Sequence, residues 1–358
     1  MSWSFRIGRI KGTDVKVHLT FLLLLGWVAW RDMADAGSAA AIMGVLQLLA
    51  LFGCVLLHEF GHITAARHFG ILTPDVILLP IGGVARLSRI PEEPRQELVI
   101  ALAGPAVNLV IAAVLFAGLS LAGRVPYLGL ESLFDQRFLP WLLASNLGLL
   151  LFNLIPAFPM DGGRVLRALL AMRLPYARAT RTAARVGQAL AVGGVYLGFS
   201  RHVPELLLVA AFVFLAAGAE AAAVETRVAG RGMRVADMMV TDFRTLRVYA
   251  TIADAVALLL AGEQREFPVV DNLDHVEGML TRDHLIRALS QHGPGAPVSE
   301  AMAPNVPTVT PDVGFGEALA ALRAARLPAL PVVDGGRLVG LLTMDNVADL
   351  LLVRRARG

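Results

Sequence analysis

The sequence predicts a polytopic α-helical membrane domain followed by a soluble α/β module. Three observations predict it. Apolar residues make up 56% of the 358 and charged residues 17%, against about 45–50% and about 25% in soluble domains. The apolar residues are concentrated before residue 224, where stretches free of Asp, Glu, Lys and Arg run over 17–30, 37–57, 98–123, 138–160, 186–200 and 206–219. From residue 231 onward the composition becomes that of an ordinary soluble fold, and the chain repeats itself.

A bilayer span takes about 17–25 residues. Three of the six stretches reach that length outright, and the others reach it with flanking Ala, Thr or His or by tilting. Six spans are therefore expected. Basic residues gather in 1–16, 63–97, 161–185 and at the head of the tail (Arg227, Arg231, Arg234), whereas 31–36, 124–137 and 201–205 hold few. This alternation is the positive-inside bias. It predicts a multi-pass protein of the cell membrane with both termini and the tail in the cytoplasm. The expected domains are residues 1–230 in the membrane, then 231–292 and 293–358.

Charge and cysteine content remove several function classes. The tail from 231 has 13 Lys/Arg against 15 Asp/Glu, net −2, and the first 230 residues are net +5. No basic run with interleaved aromatics occurs, so no nucleic-acid partner is expected. Cys54 is the one cysteine, which excludes an intrachain disulfide and a cysteine-based zinc cluster. The first apolar run lacks a small-x-small cleavage site, so no cleavable signal is expected.

The segment "LLHEFGHITA", 56–65, puts three ionisable side chains at the end of an uncharged span, where such groups are costly and functional by default. His58 and His62 are four residues apart and share one helix face, so both imidazoles can address one ion. Glu59 is turned about 100° from His58 and can address a water instead. In this HExxH arrangement two histidines bind Zn²⁺ and the glutamate is the general base. The competing reading is an interfacial cluster solvated by snorkelling.

A catalytic zinc site takes about three protein ligands plus water. Asp161, in "NLIPAFPMDGGR" (153–164), is the best third candidate because it follows the fourth stretch and returns to the membrane face of His58 and His62. Pro156 and Pro159 break the helix before it, and Gly162 and Gly163 are read as freeing the chain after it. Irregular backbone at membrane depth requires cover by protein or a water cavity, as a buried hydrolytic site does. A plain turn with Asp161 as helix cap is the alternative.

"HEFGH" on a span, "AGPAVN" at 103–108 and "NLIPAFPMDGG" at 153–163 together resemble the site-2 protease family of intramembrane zinc metalloproteases, over about 17–225. The resemblance implies one zinc per chain in the helical bundle, with His58, His62 and Asp161 as ligands and Glu59 as base. It also implies that "LLPIGGVARL", 78–87, is a hairpin whose Gly82 and Gly83 let an unwound substrate strand approach. Asn108 and Asn153 match family asparagines that bind substrate backbone or stabilise an oxyanion; helix–helix hydrogen bonding is their alternative.

In the tail, "RVADMMV" (234–240) is echoed by "PVSEAMA" (297–303), "FPVVD" (267–271) by "LPVVD" (330–334), and "GMLTRDHLIRAL" (278–289) by "GLLTMDNVADLL" (340–351). The offset is 63 and drops to 62 after the second strand. Each copy reads as a helix, a strand, then two short strands enclosing a turn, and a closing helix. The repeat is similar to a tandem CBS module (cystathionine-β-synthase domain pair) over about 233–353. That resemblance implies an adenine nucleotide as ligand, normally held by Thr-x-x-Asp. Thr281 is followed at that spacing by His284 and Thr343 by Asn346, with Asp283 and Asp345 one residue early. Thr281, Thr343 and Asn346 are thus the nucleotide candidates, and a module for docking or homodimerisation is the alternative.

The combined reading is a zinc metalloendopeptidase that cleaves a transmembrane protein in regulated intramembrane proteolysis, modulated by the CBS pair. A CBS-regulated channel or transporter is the first rival, and would spread ionisable groups along a pathway through several spans. A catalytically inactive membrane scaffold is the second, and intact His58, Glu59, His62 and Asp161 oppose it.

Overall fold

Short alternating strands open the chain, ahead of any helix. In a computed structural model, which describes residues 3–80, 82–86, 93–123 and 137–357, Ser4–Ile10 (β1) and Thr13–His18 (β2) form an antiparallel pair. Thr13, Val15 and Val17 face inward along β2, while Asp14, Lys16 and His18 are half-buried, the period-two pattern of a strand. β2 then pairs in parallel with Asp75–Leu79 (β3), which turns back antiparallel to Gly82–Arg86 (β4). The sheet runs β1-β2-β3-β4 and leaves β4 at one edge.

The helices of this part of the chain are Leu19–Ala36 (α1), Ser38–His68 (α2), Pro94–Leu121 (α3), Phe138–Asn153 (α4), Asp161–Ala171 (α5), Tyr176–Ser200 (α6) and Pro204–Ala229 (α7). Three of them, α2, α3 and α7, are long and apolar enough to cross a membrane. Of the six expected spans, only these three meet that standard of length and composition among the described residues. α1 includes Arg31, Asp32 and Asp35 within its 18 residues, α4 has only 16 residues, and α6 carries Arg178, Arg181 and Arg185 and is diluted by glycine. α2, with 31 residues, extends about 46 Å.

Pro156 and Pro159 fall in the irregular stretch between α4 and α5. Gly162 and Gly163 have a different role from the one expected of them. They lie in the first turn of α5, where a Cβ on either would come closer than 3.0 Å to backbone atoms of residues 154–158. They permit close packing and leave the chain helical.

The chain divides into two units, Met1–Val224 and Glu225–Gly358. In the second, Leu246–Arg247 (β5), Ile252–Ala261 (α8), Glu266–Val270 (β6), Val276–Thr281 (β7), Arg282–His292 (α9) and Ala303–Pro304 (β8) precede Phe315–Ala325 (α10), Ala329–Asp334 (β9), Arg337–Thr343 (β10) and Met344–Arg357 (α11). α8, β6, β7 and α9 recur as α10, β9, β10 and α11, so two strands lie between the helices of each copy where three were expected. The two cores exchange their leading segments: Met233, Val235 and Met238 pack with Phe315, Leu330 and Leu342, while Val298 packs with Ile252, Phe267 and Leu285. Gly278 lies against Met302 and Gly340 against Met239, an internal symmetry between the copies.

Candidate metal centre

α2 presents His58 and His62 on one face, both buried, and α5 begins with the buried Asp161. His58 Nε2 and His62 Nε2 are 3.1 Å apart, and each is 3.1 Å from Asp161 Oδ2. The other ring nitrogens are occupied. His62 Nδ1 is 2.7 Å from the carbonyl oxygen of Ile100, which can only accept, so this nitrogen carries the hydrogen. His58 Nδ1 is 3.1 Å from Asn108 Oδ1 and donates in the same way. Both tautomers follow from these partners.

With Nδ1 donating on each ring, two imidazole lone pairs and a carboxylate oxygen converge with no donor between them. A cation resolves that arrangement. Donors about 2.0–2.1 Å from one tetrahedral ion stand about 3.3 Å apart, close to the 3.1 Å observed. The donor set, two imidazoles and one carboxylate, suits zinc. Room for it depends on Gly104 in α3, where a Cβ would come closer than 3.0 Å to Nε2 of both histidines.

Glu59, half-buried, lines a cavity of about 450 Å³ together with His58, His62 and Asp161. β4 closes this cavity on one side through Gly82–Ala85. A Cβ on Gly83 would come within 3.0 Å of the Glu59 side chain, so the strand's backbone passes directly over the carboxylate. Gly82, at φ +133°, takes a conformation that favours glycine. Asn108 and Asn153 also line the cavity. Asn108 spends its oxygen on His58 and keeps a buried Nδ2 with no hydrogen-bond partner. Asn153 Nδ2 donates to Leu149 O in its own helix.

Comparison with known proteins gives this geometry its context. The model of peptidase family M50 matches residues 46–136 and 131–194. The zinc metalloprotease MJ0392 of Methanocaldococcus jannaschii is 31% identical over 97% of this chain and 96% of its own. The chain belongs to peptidase family M50, the site-2 proteases. It is thereby a zinc metalloprotease by family. Rip3 of Mycobacterium tuberculosis, provisionally named a zinc metalloprotease, is 31% identical over 98% of this chain and 93% of its own. A solved site-2 protease from Methanocaldococcus jannaschii aligns at 36% identity over 61% of this chain and 95% of its own, with a TM-score of 0.46. The CBS domain model matches residues 235–291 and 298–353, so the tail of this M50 protein is a CBS pair.

The nucleotide candidates are found at helix starts. Thr281 Oγ1 accepts from the amide of His284 and Thr343 Oγ1 from that of Asn346, capping α9 and α11. Asn346 Nδ2 donates to the carbonyl of Met238. Within the M50 unit, sequence reasoning missed two features of the site: Gly104 and the Ile100 carbonyl. Gly104 stands in "AGPAVN", which was singled out without a role for its glycine. A backbone carbonyl leaves no mark in a sequence.

Proposed function

We propose that this M50 protein is an intramembrane endopeptidase that holds one zinc on His58, His62 and Asp161 and cuts a membrane-spanning protein near the cytoplasmic face. The observation that carries the reading is the convergence of three donor atoms, 3.1 Å apart, in a cavity bordered by an edge strand. Zinc bound there supplies Lewis acidity and brings water to a pKa of about 7.

Glu59 takes the proton from water as its oxygen bonds to the scissile carbonyl carbon. It returns that proton to the amide nitrogen as the C–N bond breaks, leaving an amine and a carboxylic acid whose remaining proton is lost to solvent. A transmembrane helix hides its carbonyls in its own hydrogen bonds, so the substrate must unwind first. β4 supports the unwound backbone by strand addition, and Gly82 and Gly83 keep that approach open. The unpartnered Nδ2 of Asn108 is the donor available to substrate or oxyanion, with Asn153 beside it.

In this reading the CBS copies, 231–292 and 293–358, modulate the protease from the cytoplasm, by binding an adenine nucleotide or by homodimerisation. A ligand does so only through different affinities for two conformations.

The deciding experiment is zinc content and cleavage of a membrane-spanning reporter by the full chain in proteoliposomes. Wild type is expected to hold about one zinc and cleave, as one closed donor set implies. Glu59→Gln should keep the zinc and lose cleavage, and Asp161→Ala should lose most of both. Cleavage surviving in Glu59→Gln removes Glu59 as base, and an absence of zinc from folded wild type removes the hydrolase reading.

A further inference from the structure

We propose that Arg167 is a positioning residue for Asp161, fixing the helix that bears it and thereby setting metal affinity. The inference rests on Asp161 being a ligand, as proposed above.

Arg167 is 2% exposed, in a unit whose other buried groups are mostly apolar. It lies six residues after Asp161 on α5, about 9 Å along the helix. Its Nε donates to Glu97 Oε1 at 2.7 Å and Nη2 lies 2.5 Å from the same oxygen, while Nη1 donates to Glu220 Oε1 at 2.6 Å. The guanidinium is 4.9 Å from the ring centroid of Phe158, just before Asp161, and 5.2 Å from that of Tyr176, at the start of α6. One side chain therefore ties α5 to α3, to α7 and to the segments on either side of it.

The partner on α3 makes this more than a brace. Glu97, Ile100, Gly104 and Asn108 recur at helical spacing along α3. Ile100 orients His62, Asn108 orients His58, Gly104 leaves the donors their space, and Glu97 anchors the helix of Asp161 through Arg167. All three donors are referred to one side of one helix. Groups that orient metal-binding side chains change metal affinity by about 10–100-fold when removed. The planar fork of arginine holds two carboxylates in fixed directions, as a lysine ammonium does not.

The test is zinc affinity of the full-length protein in detergent, by competition with a chromophoric chelator, with Tm and circular dichroism as controls for folding. Arg167→Ala is expected to weaken zinc binding by about 10–100-fold, and Arg167→Lys to recover part of the loss. A merely structural arginine would lower Tm and leave affinity unchanged, which overturns the proposal. If Arg167→Ala does not fold, Arg167→Lys decides: weakened binding supports the proposal and wild-type binding overturns it. Asp161→Ala, measured beside them, separates the two claims. Wild-type affinity there means that Asp161 is not a ligand, and the role of Arg167 falls with it. Loss in Asp161→Ala with no loss in either Arg167 variant overturns the Arg167 proposal alone.

Discussion

His58 and His62 are held by different means. The ring of His62 is oriented by the Ile100 carbonyl, which no substitution removes, whereas the ring of His58 is oriented by the Asn108 side chain. Asn108→Leu therefore deprives only His58 of its partner and should weaken zinc binding by about 10–100-fold. Gly104→Ala acts differently. Its methyl would occupy the space beside both Nε2 atoms, and it should abolish stoichiometric zinc in a protein that still folds. Metal analysis after gel filtration separates a weakened site from a blocked one. Wild-type zinc in Gly104→Ala would show that α3 yields at this point.

Elements differ in how far the sequence discloses them. The HExxH pair was legible because the four-residue spacing alone puts two imidazoles on one helix face, and Asp161 because two prolines mark a break in an apolar run. The Glu97–Arg167–Glu220 cluster was not legible, since its partners are 70 and 53 residues from Arg167 and only packing joins them. β1 and β2 were hidden because a six- or seven-residue strand rich in arginine and lysine reads as a charged loop. In the tail the repeat disclosed the elements, while the exchange of leading segments between cores depends on long-range contact.

Around β6 the charge pattern sets an expectation of its own. Glu266 is pushed above the usual carboxylate range by burial and by the neighbouring Asp345 and Asp283. A carboxyl that ionises less readily folded than unfolded costs stability as pH rises through the ordinary glutamate range, and costs nothing below it. Glu266→Gln should therefore raise the Tm of the tail at pH 7 and leave it unchanged below about pH 4. Scanning calorimetry of the full chain with AMP present also reads the nucleotide: at 100 times Kd it would stabilise the tail by about 2.7 kcal/mol. No shift with AMP in either protein removes AMP as a ligand of the CBS pair.

On the scale of the whole molecule, the membrane topology is constrained by contacts within the first unit. β2 pairs with β3, Lys16 bonds Asp75 at 2.7 Å, and Arg67 donates to Thr13, so the basic segments 1–16 and 63–97 share one side. Asp161 meets the histidines near the C-terminal end of α2, which brings the start of the basic segment 161–185 to that side as well. By the positive-inside rule that side is expected to be the cytoplasmic one. The side of the tail then depends on α6. If α6 and α7 both cross, the tail returns to the cytoplasm; if α7 crosses alone, it does not. Cys54 is buried and is the one cysteine of the chain, so a Cys54→Ser background is a quiet host for a reporter thiol. Ser299→Cys, exposed in the tail, should react with a membrane-impermeant maleimide in inverted vesicles and stay unlabelled in right-side-out ones. That outcome means α6 spans the bilayer despite its three arginines, which then gather at its cytoplasmic end where snorkelling is cheap. The reverse labelling would put the CBS pair outside, remove cytoplasmic regulation from the proposed function, and leave α7 as the last crossing.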